Sequence, residues 1–270
     1  MVMQRTSHTT EPIELAQAGA EALAIALDSV FPLRDRIESL IVHPSSQLAN
    51  DDKWTPFEEL STQVQHLLIS SQDHLNMLAQ YLVATDGKVP AMGGYTLIRT
   101  SIESAALAIW LLAGGTLNKR VLNSLTLARQ NAWDLESFAE KGGVGSETYL
   151  ETVQTMLEKN KNARGPLRQR SIPRMPKWSE IVEGSGVHAP RHPGSTAIQV
   201  WKACSGVAHS NMALTHGLLE RRTGTGPHGQ PGFRLSSKLS TLAIFTQVAL
   251  NHLNYAILRF EEAAAARAQG

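Results

Sequence analysis

The sequence predicts an all-α fold, a multi-helix bundle in one domain, and three observations carry that prediction. Almost every long segment repeats its apolar residues at the helical period, and strict apolar–polar alternation is rare. Glycine and proline gather between the periodic segments, as at TDGKVPAMGG (85–94), Gly114-Gly115 and Gly142-Gly143. Strands alternating with helices are absent, which argues against a Rossmann or P-loop enzyme.

Each element has its own signal. Pro12 opens a helix running to about Val30, and Pro32 restarts a shorter one, RDRIESLIV. HPSSQLANDDKW (43–54) reads as a loop, and a long helix then spans about 56–84. The most apolar helix covers 95–113 and stops at Gly114-Gly115, and the next covers 116–141. Residues 146–160 are helical, and Trp178 begins another short piece. Between them, residues 159–177 hold seven basic side chains (Lys159, Lys161, Arg164, Arg168, Arg170, Arg174, Lys177) and no acid. This basic loop opens an irregular excursion over 160–195, which VEGSGVHAPRHPGS completes. A penultimate helix covers 195–219, the Gly-rich RRTGTGPHGQPGFRLSS forms a small hairpin or ordered loop, and a last helix runs from about Ser236 to Ala266. The domain is thus expected over 12–266, behind a flexible tail at 1–11.

Composition narrows the function classes. The chain has 270 residues, 42% hydrophobic and 18% charged, with a net charge of +1, so no global field draws it to nucleic acid or an anionic membrane. A single cysteine, Cys204, excludes an intramolecular disulfide framework and a multi-thiolate metal site. The polar N-terminal residues and the charges interrupting the best apolar run predict a cytoplasmic protein that does not span a membrane. His188, His192, His209 and His216 lack a carboxylate at ligand spacing, so neither a metal nor another cofactor is expected. GTGPHG (224–229) matches a dinucleotide fingerprint in letters, but no strand–turn–helix context surrounds it and it reads as a turn.

Two constellations carry chemistry. In YTLIRTSIESAALAIWLL (95–112), Arg99, Glu103, Ala106 and Trp110 share one arc beside the apolar face of Tyr95, Ile98, Ile102 and Ile109. Charges bordering a core are retained when paired or used, so the pair is either a brace or part of a site. In WKACSGVAHSN (201–211), Ser205 and His209 stand one turn apart on a stripe with Ile198, Trp201, Met212 and His216. That stripe is expected to face inward, with His209 either satisfied by a carbonyl or by Glu103, or serving as an acid–base group. No nucleophile elbow or oxyanion loop accompanies Ser205, which excludes serine hydrolysis. In the 56–84 helix, Gln63, His66, Ser70, Asp73 and Gln80 form a polar face read as solvated, with His74 at the edge of the apolar arc.

The order of these pieces resembles a family. Asp73-His74-Leu75, then Arg99-x3-Glu103 leading into Trp110-Leu111-Leu112, then Ser205-x3-His209, is similar to uncharacterised bacterial helical proteins related to HEPN domains, over roughly residues 60 to 215. The resemblance implies a HEPN-like bundle that acts on or binds RNA or a nucleotide, with many members of the family being metal-independent endoribonucleases of the toxin or defence type, commonly dimeric. The family signature is an arginine, four to six residues, and a histidine. Here Lys202, six residues and His209 occupy it, and lysine keeps the charge without the bidentate grip on phosphate. By this resemblance His209 is the general acid–base group, Arg99 or Lys202 stabilises phosphoryl charge, and Glu103 orients Arg99. The alternative is a non-catalytic binding or scaffold module in which Arg99, Glu103, Ser205 and His209 form a structural polar network.

Overall fold

The structure is a computed structural model and describes residues 10–141, 147–189, 192–193, 195–225 and 231–266. The elements follow in the order α1 (Ile13–Asp28), α2 (Phe31–Glu38), α3 (Gln47–Asp52), α4 (Leu60–Ala84), α5 (Gly93–Leu112), α6 (Leu117–Lys141) and α7 (Glu147–Ala163). After a single 3-10 turn (Gly165–Leu167) come α8 (Trp178–Ser185), α9 (Ala197–Ala208), α10 (Met212–Leu218), β1 (Leu219–Thr225), β2 (Pro231–Ser237) and α11 (Leu239–Ala264). The protein is mostly helical, and its described strands form one antiparallel hairpin with Leu219 opposite Ser237 and Thr225 opposite Pro231. None of the described helices is long and apolar enough to cross a membrane.

The centre of the bundle is α5. It packs against α4, α11, α9, α8 and α6, which explains why it is apolar nearly all round. Its Ile98, Ile102, Ala105 and Leu111 share one core with Val64, Leu68 and Leu75 of α4, Val200 of α9, and Leu253 and Phe260 of α11. A second, smaller core lies between α6 and α7, where Val121, Leu125, Val153 and Leu157 meet Leu167 and Ile172.

Several expectations need correction. The 43–54 segment contains α3, because the Ser46 hydroxyl caps it by accepting from the Ala49 amide at 3.1 Å, and because Leu48 reaches the core. Asp51 on α3 then meets Arg120 on α6: Nε to Oδ2 is 2.5 Å and Nη2 to Oδ1 is 2.9 Å, while Nη1 donates to the Gly114 carbonyl at 2.8 Å. The two side chains, Arg120 and Asp51, are 6% and 0% exposed, so this is a buried, bidentate pair. A Cβ at position 114 would sit 2.7 Å from Arg120 Cγ, so the glycine that stops α5 also admits the arginine. The long helix begins at Leu60 rather than near 56, with its first amides taken by Thr55 Oγ1 (3.1 Å) and Asp52 Oδ1 (2.9 Å). Gln63 is buried rather than solvated, because α6 covers it and its amide donates to the Ser124 carbonyl at 3.2 Å.

The basic segment is also more ordered than a loop. Lys159 and Lys161 still belong to α7, and Lys161, 5% exposed, pairs with Glu158 (2.7 Å) and donates to the Arg170 carbonyl (2.5 Å). Arg164 bonds Asn118 and lies over the Trp54 ring at 5.0 Å. The penultimate helix is two helices. The Ser210 amide donates to Val207 O (2.9 Å) and the Asn211 amide to Gly206 O (2.8 Å), a Schellman-type turn with Ser210 at φ +56°. The Asn211 side chain then caps α10 by accepting from the Ala213 and Leu214 amides. Gly206 lets Leu214 fold back onto α9, since a Cβ there would collide with it.

The Gly-rich segment is the hairpin; of GTGPHG only Gly224 and Thr225 lie in β1, and 226–230 are outside the described residues. Residues 1–9 are outside them as well, so the expected tail is seen only at its end. There the Glu11 carboxylate caps α11, accepting from the Leu239 amide at 2.9 Å, the Ser240 amide at 3.2 Å and the Ser240 hydroxyl.

Two outcomes follow from this packing. Arg120→Met leaves the Asp51 carboxylate buried without its cation and is expected to cost about 3–5 kcal/mol, read from urea unfolding, with Asp51→Leu in the same chain recovering part of the loss. His252, buried on α11 with Nδ1 on the Val248 carbonyl at 3.1 Å and no partner for Nε2 among the described residues, has its pKa lowered by burial. The unfolded chain therefore takes up this proton first, so stability is full above about pH 6.5 and falls as pH drops below it. Thermal melts of wild type should lose midpoint across that window, and His252→Leu should flatten the loss.

Candidate functional site

The two sequence constellations meet where α5 crosses α9. Arg99 Nε donates to Glu103 Oε1 at 2.9 Å across one turn of α5. The Trp201 indole on α9 donates to that same oxygen at 2.7 Å. The Arg99 guanidinium lies 5.8 Å from the Trp201 ring centroid, and its Nη1 stands 3.4 Å from His209 Nε2. With arginine as the donor, His209 Nε2 is the acceptor, so the contact takes the neutral tautomer that carries its lone pair there.

The arrangement is edge-on rather than enclosed. Arg99 and Glu103 side chains are 24% and 15% exposed, and His209 is exposed at the end of α9. The inward stripe expected through His209, Met212 and His216 is therefore corrected: Met212 and His216 are exposed as well, because the turn at Ser210 redirects the chain. The proposed satisfaction of His209 by Glu103 is corrected too, since its partner is Arg99. Cys204, on the inner side of α9, is buried, and burial pushes its thiol pKa well up while nearby Arg99 acts in the opposite direction. It stays a protonated core side chain near neutral pH.

The remaining expected residues are placed as follows. Ser205 is half-buried one turn before His209, and its hydroxyl makes no hydrogen bond among the described residues. Lys202 is exposed and unpaired among them. His74 bonds the Ser70 carbonyl of its own helix at 2.7 Å, and Ser70 meets Ser104 of α5 at 3.1 Å. The partners of Lys161 and Arg164 lie around α6, α7 and Trp54, so these two side chains do not serve the Arg99 site. No group of three or more histidine, cysteine or carboxylate side chains placed to hold a metal occurs among the described residues.

Trp201 joins this candidate site through Glu103, although its place on the apolar stripe marks it only for packing. A signal existed: an indole N–H turned toward a core needs an acceptor, and Glu103 is a carboxylate bordering that core. The distance along the chain hid the pairing. Compared with family models, curated proteins and solved structures, the chain matches none.

Glu103 holds two donors on one oxygen, so Glu103→Ala removes the acceptor of both the Trp201 indole N–H and the Arg99 Nε–H. The expected loss is about 1–3 kcal/mol, seen in urea unfolding together with a shift in tryptophan emission.

Proposed function

We propose that this protein acts on RNA as a metal-independent endoribonuclease, the reading its resemblance to HEPN-related helical proteins implies. The observation that carries it is the meeting of Arg99 and His209 at a solvent-reachable edge: a guanidinium suited to phosphate oxygens beside an imidazole whose nitrogen can accept a proton. In this reaction Arg99 Nη1 turns from His209 Nε2 to a phosphate oxygen, which frees that nitrogen to take the proton from a ribose 2′-hydroxyl as the hydroxyl oxygen attacks the adjacent phosphorus. The bond from phosphorus to the 5′-oxygen breaks, leaving a 2′,3′-cyclic phosphate and a 5′-hydroxyl. Arg99, oriented by Glu103 and Trp201, stabilises the charge on the phosphoryl oxygens, and Lys202 adds a further cation. The leaving oxygen takes its proton from the histidine of a second copy, which the dimerisation of such domains would supply.

A second reading has its own support. Glu103 Oε1 accepts from both α5 and α9, which is what a brace between two helices does, and Arg99 is engaged on three sides. In that reading the protein is a non-catalytic helical module.

The two readings separate in one experiment. Purified protein is incubated with single-stranded RNA in chelator, beside His209→Ala and Arg99→Ala. The nuclease reading expects cyclic-phosphate ends from wild type and a drop of about 100- to 10,000-fold for His209→Ala, whose exposed position leaves the fold intact. Equal cleavage by wild type and His209→Ala, or none by either, overturns it and leaves the brace.

A further inference from the structure

A cleft of about 540 Å³ opens between α6, α7 and the strap at 172–175, away from the Arg99 site. Among the described residues its lining charges are all positive. Arg129 and Arg174 line it, and no carboxylate does among the described residues. Arg129 spends two of its five N–H donors on main-chain carbonyls, Nη1 on Ile172 (2.8 Å) and Nη2 on Pro173 (2.6 Å), and pairs with no acid among those residues. Arg174 makes no hydrogen bond or ion pair among them at all. A partly buried guanidinium such as that of Arg129 is costly without a counter-ion, and an incoming anion relieves that cost.

The cleft is also preformed. Arg174 and Met175 stand between Pro173 and Pro176, which stiffen the strap, and Ile172 is anchored in the second core. Arg129 clamps the same strap by its carbonyls, so one arginine fixes the segment that presents the other. The rest of the lining is largely apolar, with Leu150, Met175 and Trp133, and Trp133 is 53% exposed. A large aromatic half in water beside two guanidinium groups that meet no carboxylate among the described residues is a surface for a flat, negatively charged molecule.

We propose that this cleft binds a small aromatic anion, its ring against Trp133 and Met175 and its carboxylate or phosphate between Arg174 and Arg129. The size suits one ring system with a single anionic group. The inference uses α6, α7 and the strap alone, so it stands whether or not Arg99 and His209 cleave RNA.

The test is calorimetric titration of the full chain with phenyl phosphate, benzoate and the neutral benzyl alcohol. At least one anion is expected to bind saturably and to weaken with added salt, while benzyl alcohol does not bind; the tighter anion identifies the headgroup. Arg174→Gln, an exposed change, is expected to weaken binding at least about tenfold, and Trp133→Leu to weaken it as well, both with unchanged circular dichroism. The proposal is overturned if neither anion saturates, if benzyl alcohol binds as well as the anions, or if either variant binds like wild type.

Discussion

The structure depends on the enclosure of α5. A helix packed by neighbours on nearly every side has to be apolar nearly all round, and any charge on it must sit at a seam between those neighbours. Arg99 and Glu103 occupy such a seam, the one between α5 and α9. There Glu103 acquires a second donor from Trp201, and Arg99 acquires His209. Burial thus selects both where the charged pair stands and how many partners it gathers.

A second constraint works beside the first. The buried Asp51–Arg120 pair joins α3 to α6, and its cation also satisfies the Gly114 carbonyl just beyond α5. Its two helices carry Leu48 of the main core and Val121 of the smaller one, so the pair sets how the second layer meets the first. Lys161, Arg164 and Arg129 then hold the basic segment against that layer with main-chain carbonyls, Asn118 and the Trp54 ring. A run of like charge in the sequence becomes, in space, a set of clamps plus Arg174, unpaired among the described residues, beside a largely apolar cleft.

Which elements were legible in the chain has physical causes. Helices with a strong apolar period and Gly or Pro stops were legible, since α1, α5, α6 and α11 fall close to where periodicity places them. The break between α9 and α10 was not, because a serine rather than a glycine takes the left-handed position at 210 and the apolar period runs on across it. α3 escaped for the opposite reason: six residues are too few for a period, and its stability comes from the Ser46 cap and the burial of Leu48 and Asp51. Of the candidate site, the one-turn Arg99–Glu103 pair is readable from spacing, and its meeting with His209 is expected in both readings of the sequence, but no local pattern gives the contact itself.

By itself the sequence determined the all-α class, the central apolar helix and the residues with chemistry to offer, because helical period, capping and charge placement are local properties of the chain. Tertiary structure alone decided that Trp201 shares Glu103 with Arg99, that Asp51 meets Arg120, and that Arg129 and Arg174 flank one cleft. Each of these joins residues that are far apart along the chain or on different elements. Such pairings are chosen by which helix faces can be buried together, and no local pattern encodes that choice.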